Sequence, residues 1–213
     1  NKEAYQSYVN KQSALLGNLL NTPQYWYMNE KAKVTQKNNP RFTTAIPTPE
    51  EFATQNYDLA YQLYTDRFKD ASDFTFMFVG SFDEATLIEY VNKYLASLPS
   101  KNKKEMWVDH PFENLKGQQE FVFNRGEDPK SSVEITYRTE AKYNSKDAYY
   151  LQCAGEALTI KLVENLREGE SGVYGVGARG SASQWAKGVY NFSISFPCGP
   201  ENVEKLKAAA LAE

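Results

Sequence analysis

The sequence predicts an α+β fold: a broad, mixed and largely antiparallel sheet with helices packed on one face. Three observations carry this. Val133, Ile135 and Tyr137, and later Tyr190, Phe192, Ile194 and Phe196, alternate with polar residues. That period of two marks antiparallel strands covered on one side only. Between them, Leu151, Ala154, Leu158, Leu162 and Leu166 recur at helical spacing over Ser145 to Arg167, the inward stripe of a long helix. Finally, Phe74 to Val79 is apolar at nearly every position and passes through Gly80 directly into a helical pattern, as a buried strand feeding a helix does.

The other elements follow in order. Residues 1 to 20 read as a helix with an apolar end at Ala14, Leu15, Leu16, Leu19 and Leu20, and without a cap at its start. A polar, proline-containing connection spans 36 to 47. Thr48-Pro49-Glu50-Glu51 opens the next helix: Thr48 caps, Pro49 suits the first turn and Glu51 completes a capping box. Ala53, Tyr57, Ala60 and Tyr64 continue it at helical spacing. Asp83, or Ser81 with Glu84, caps the helix after Gly80, whose stripe is Leu87, Val91, Tyr94, Leu95 and Leu98 and which Pro99 stops. Lys101 to Lys116 is a charged connection, either a domain boundary or a long loop. Phe121 and Phe123 mark a strand, Val173 to Ser183 a glycine-rich strand and Glu201 to Glu213 a last helix. The expected organisation is a helical lead-in over 1–39, continuing from a preceding segment, and one domain over 40–213 that is cut within its last helix.

Composition excludes several functions. Net charge is −3, from 24 basic and 27 acidic residues that are mixed along the chain. The basic cluster Lys101 to Lys104 is short, so nucleic acid is not an expected partner. No apolar run approaches the ~20 residues of a membrane-spanning helix. Two cysteines, Cys153 and Cys198, make no disulfide framework and read as small buried or half-buried thiols. His110 is the one histidine, beside Asp109 and Pro111 in a charged loop. It has no nucleophile or metal-ligand set around it. Gly80, Gly172, Gly175, Gly177 and Gly180 are not followed by the residues of a phosphate loop or a dinucleotide fingerprint. Those at 175, 177 and 180 lie in a strand pattern, where glycine marks a bulge or the close approach of another backbone.

What remains is Leu166-Arg167-Glu168-Gly169-Glu170-Ser171-Gly172-Val173-Tyr174. Arg167 ends a long helix, and Tyr174 opens a strand seven residues later across a glycine-bearing turn. Held side by side, the two can grip an extended peptide. The plainer alternative is an arginine favoured by its helix C-terminus and an aromatic strand residue.

This stretch and the segment from Arg67-Phe68-Lys69-Asp70 through Phe74-Thr75-Phe76-Met77-Phe78-Val79-Gly80-Ser81-Phe82-Asp83 to Leu98-Pro99 resemble the pitrilysin/insulinase-type zinc metallopeptidases, and specifically their C-terminal-half, non-zinc-binding domain. The resemblance covers about residues 40 to 213. Ser81 departs from it, since the family often has an acidic or amide residue there. The resemblance implies two halves enclosing a chamber, with zinc held by a His-x-x-Glu-His motif in the N-terminal half. This sequence lacks that motif, so no cofactor is expected in this chain and zinc is expected in the catalytic N-terminal half of the same parent chain. It also implies a peptide or unfolded protein as substrate. Tyr174 would donate a hydrogen bond to the scissile carbonyl as it becomes an oxyanion, and Arg167 would hold nearby substrate backbone. A bacterial periplasmic location is favoured over a cytoplasmic one by the same resemblance. Two other functions fit the fold: a non-catalytic scaffold or assembly subunit, and a stand-alone peptide-binding module acting by strand addition.

Overall fold

The computed structural model describes residues 1–103, 105–111, 113–169, 173, 175–185 and 188–213, the side chains at 168 and 169 excepted. The described chain forms two compact units, Asn1–Gly126 and Glu127–Glu213.

The first unit is helical. α1 (Lys2–Leu20) is capped by Asn1, whose side chain accepts from the backbone N–H groups of Glu3 and Ala4, so the expected uncapped start is corrected. α2 (Pro23–Thr35) carries no apolar stripe that would mark it in the sequence. Its signals are Thr22 at the cap position and Pro23 in the first turn. The side chain of buried Asn29 clamps the following connection, donating to the Ile46 carbonyl at 2.7 Å and accepting from the Ile46 N–H at 3.0 Å. The capping box forms as expected at α3 (Pro49–Ala53), with Thr48 and Glu51 bonding each other's backbone N–H groups. The helix does not run on through Tyr57, however. It stops at Ala53, and Asn56 caps a new helix, α4 (Tyr57–Phe68), because an asparagine that bonds the Leu59 N–H offers the backbone a fresh start. Aromatic rings tie these pieces together: Tyr8 meets Phe52 at 6.2 Å and Tyr5 meets Tyr57 edge-on at 5.2 Å.

Two strand expectations fail in this unit. Phe74 to Val79 has no strand partner among the described residues, and after half-buried Phe74 it is exposed, Phe76 and Phe78 to 47% and Val79 to 91%. An apolar run becomes a buried strand only when a neighbour supplies both ladder and cover; the described residues of the first unit supply no ladder, and cover only at Phe74, which meets Phe68 edge-on. Phe121 and Phe123 also lie outside any ladder. Phe123 instead meets Trp26 and Tyr27 edge-on, at 6.4 and 5.5 Å. Asp83 does cap α5 (Glu84–Tyr90), accepting from the Thr86 N–H and hydroxyl. These bonds hold its carboxyl below the usual carboxylate range. The helix continues into a π-helical turn, Val91–Leu95.

The second unit holds the sheet. β1 (Ser131–Glu140) leads to α6 (Ser145–Leu162), which continues as a π-helical segment, Val163–Gly169. Then come β2 (Gly177–Ser183), β3 (Val189–Cys198), a short 3₁₀ turn and α7 (Val203–Ala212). β3 lies between β1 and β2, antiparallel to both. Register sets Phe196 against Val133, and Ile194 against Ile135 and Ala178. These residues and Cys198 pack with Leu162, Leu166, Leu206 and Ala210 in one buried cluster, so α6 and α7 cover the same face. The opposite face carries Glu134, Thr136, Arg138, Ser193 and Ser195. The α+β class with an antiparallel sheet and helices on one side is thus present. Both thiols sit as expected, Cys153 half-buried and Cys198 buried.

Candidate functional site

The long helix is fixed at both ends. At its start Asn144 accepts from the N–H groups of Lys146 and Asp147. The Tyr190 hydroxyl in turn accepts from the Asn144 N–H at 2.8 Å, tying the cap to β3. In its middle α6 lies directly on β2. A Cβ added at Gly155 would stand 2.7 Å from the Gly180 nitrogen, and one added at Gly180 would fall on the Leu151 carbonyl. Only paired glycines allow this approach. Thr159 completes the contact: its hydroxyl accepts from the Ala178 N–H at 2.9 Å and lies 2.9 Å from the Gly155 carbonyl, to which it donates. The close approach expected of the glycine-rich strand is therefore met at Gly180 by the protein's own helix. Gly175 and Gly177 have open space where a side chain would be.

At its far end the helix widens into the π-helical segment that carries Arg167. Leu162, just before it, and Leu166 within it are fully buried, and the next residue, Arg167, is exposed. The leucines anchor the turn, and the arginine beside them is left at the surface. Such widened turns recur at functional sites. Val173 is buried against the same cluster, so the chain re-enters the core just before β2. Tyr174 lies outside the described residues, as do Glu170, Ser171 and Gly172. The structure therefore places Arg167 and is silent on its pairing with Tyr174.

His110 is exposed in an irregular connection, as the sequence suggests. Among the described residues no three His, Cys, Asp or Glu side chains are grouped to hold a metal ion. The described residues do not fit a zinc site. No helix among the described residues is long and apolar enough to cross a membrane. Sequence reading missed Gly155 and Thr159. The available signal was a glycine inside a strong helical pattern, which costs about 1 kcal/mol against alanine unless packing requires it.

Residues 56–213 match the family model described as the Peptidase M16 inactive domain. The chain belongs to this family. It is 29% identical over 147 residues to the "Probable zinc protease PqqL" of Haemophilus influenzae, covering 69% of this chain and 15% of that protein. To the protein of the same name from Escherichia coli it is 25% identical over 188 residues, covering 86% of this chain and 18% of the relative. Among solved structures its fold is similar to the periplasmic protease PqqL from Escherichia coli, with a TM-score of 0.74 and 22% identity, covering all of this chain and 23% of that one. It is also similar to a mutant of the ferredoxin protease FusC in complex with Arabidopsis ferredoxin, with a TM-score of 0.62, 18% identity, and coverage of 86% and 20%. The chain therefore spans less than a quarter of the length of these relatives.

Proposed function

We propose that the chain is the substrate-binding, non-zinc-binding part of a zinc-dependent endopeptidase that cleaves peptides or unfolded proteins inside a two-half chamber. The zinc and its ligands belong to the N-terminal half of the same parent chain, and the periplasmic PqqL structure favours a periplasmic location. The observation that carries this reading is Arg167. A family of inactive domains has no need of chemistry of its own, yet this domain holds an exposed arginine on a turn whose neighbouring leucines are locked into the core. A guanidinium so placed is preorganised to donate hydrogen bonds to substrate carbonyl oxygens without ordering a flexible segment first. Tyr174, seven residues on, donates a hydrogen bond to the scissile carbonyl oxygen, and this bond strengthens as that oxygen gains charge. The structure with ferredoxin adds a relative in this fold that is bound to a protein.

Steady-state kinetics on the parent protein test this. Tyr174→Phe lowers kcat, by up to about 10²-fold, more than it raises KM, because its bond is stronger in the transition state. Arg167→Ala acts mainly on KM, since it holds backbone in ground and transition states alike. Neither lowers the melting temperature. If both variants keep wild-type kcat and KM, Arg167 and Tyr174 do not hold the substrate, and the substrate-binding role of this chain loses its support.

A further inference from the structure

The residues of β2 point alternately to the two faces of the sheet. Ala178 and Gly180 press against α6, and Gly177, Arg179 and Ser181 lie on the face that α6 and α7 leave open. Arg179 is exposed and is the one charged residue of the strand. Its cross-strand partner is Ser193, whose partner on β1 is Thr136. The adjacent rows are Gly177 with Ser195 and Ser181 with Asn191. Register therefore surrounds the guanidinium with small neutral side chains. The nearest carboxylate of this face by register is Glu134, two strands away on β1 and opposite Ser195. Among the described residues, none forms a hydrogen bond or ion pair with the Arg179 side chain.

β2 is also an edge strand of the described sheet, and it cannot shift easily. Thr159 bonds it and Gly155 and Gly180 lock it to the helix. An unpaired guanidinium on a rigid edge, bordered by serine and glycine, has its strongest peptide partner in a side-chain carboxylate on an extended chain lying along that edge. Resting on the peptide-binding function proposed above, we infer that Arg179 is a specificity-determining residue that selects an aspartate or glutamate side chain at one position of the bound peptide. A charge whose role is only to keep this edge from pairing with other chains would serve equally well with either sign, and the two roles separate on that point.

The test uses the full-length parent and internally quenched peptides that carry Asp, Ala or Lys at each position in turn, read by kcat/KM and by fluorescence anisotropy of binding. The wild type prefers Asp to Lys by about 5-fold at one position, the scale of a single exposed ion pair, and the preference fades as salt is raised. Arg179→Glu reverses the preference at that position, and Arg179→Lys retains part of it. Melting curves of both variants match the wild type, since the side chain is exposed. A wild type that cleaves the peptides without discriminating Asp from Lys, or an unchanged profile in Arg179→Glu, overturns the role of Arg179 alone. A wild type that neither binds nor cleaves any of the peptides overturns the peptide-binding function and this role with it.

Discussion

Gly180 shows how little room a single position leaves. Its missing Cβ is where the Leu151 carbonyl sits, so Gly180→Ala must push α6 off β2. We expect a loss of about 2–3 kcal/mol, the scale of overpacking in a tight interior, read as a lower melting temperature, whereas Gly177→Ala, with open space around it, leaves the melt nearly unchanged. Equal melting temperatures for the two variants would contradict the packing described. Cys198 gives a pH-dependent counterpart. Burial, with Glu201 adding to it, raises its thiol above the ordinary value. A group raised in the folded state contributes stability that is full below the unfolded pKa and is lost as pH rises through the folded one. The unfolded thiol ionises at about 8.5. The melting-temperature advantage of wild type over Cys198→Ala should therefore narrow between about pH 8 and pH 10. A constant gap across that range would mean that the folded and unfolded thiols titrate alike.

At the scale of elements, the seam between α6 and β2 positions everything that follows it. Thr159→Val keeps the shape but removes the acceptor of the Ala178 N–H. The cost expected for a buried donor left without a partner is about 1–3 kcal/mol, and Thr159→Ser restores most of it. A melt that does not distinguish valine from threonine would mean that the hydroxyl carries none of the seam. This seam also marks where the sequence was legible. The strict alternation through Val133–Tyr137 and Tyr190–Phe196 located β1 and β3, and the leucine stripe located α6, because both patterns record burial against a single partner surface. Gly155 replaced Ala154 as the buried position in that stripe, since the helix faces a strand backbone there rather than side chains. Phe74 to Val79 misled for a related reason. Composition records what a segment is suited to be buried in, and the ladder it needs is not supplied by the described residues of the first unit. The break at Asn56 and the start of α2 were local capping events, hidden by an apolar spacing that continued through one and was absent from the other.

At the scale of the whole molecule, the candidate site was legible in part. The place of Arg167 at a helix end was legible, and the residue is exposed there; its role at the site is the proposal made above. Its expected companion Tyr174 lies outside the described residues. The lack of a metal-binding group among the described residues leads to a direct expectation. By calorimetric titration the 213-residue chain takes up no stoichiometric, tightly held zinc, and it leaves an unfolded casein-like protein intact. Metal-dependent cleavage by this chain would contradict its membership of the non-zinc-binding side. The central claim, that this chain holds the substrate of a larger peptidase, is tested most directly by cross-linking. A peptide substrate carrying a photoreactive benzophenone side chain is bound to the parent protein with its metal chelated, so that binding continues without cleavage, and the adducts are mapped by mass spectrometry. The account predicts adducts within 163–183, around Arg167, Tyr174 and β2, that unlabelled peptide competes away. Competed adducts confined to parts of the parent outside 127–213 would contradict it.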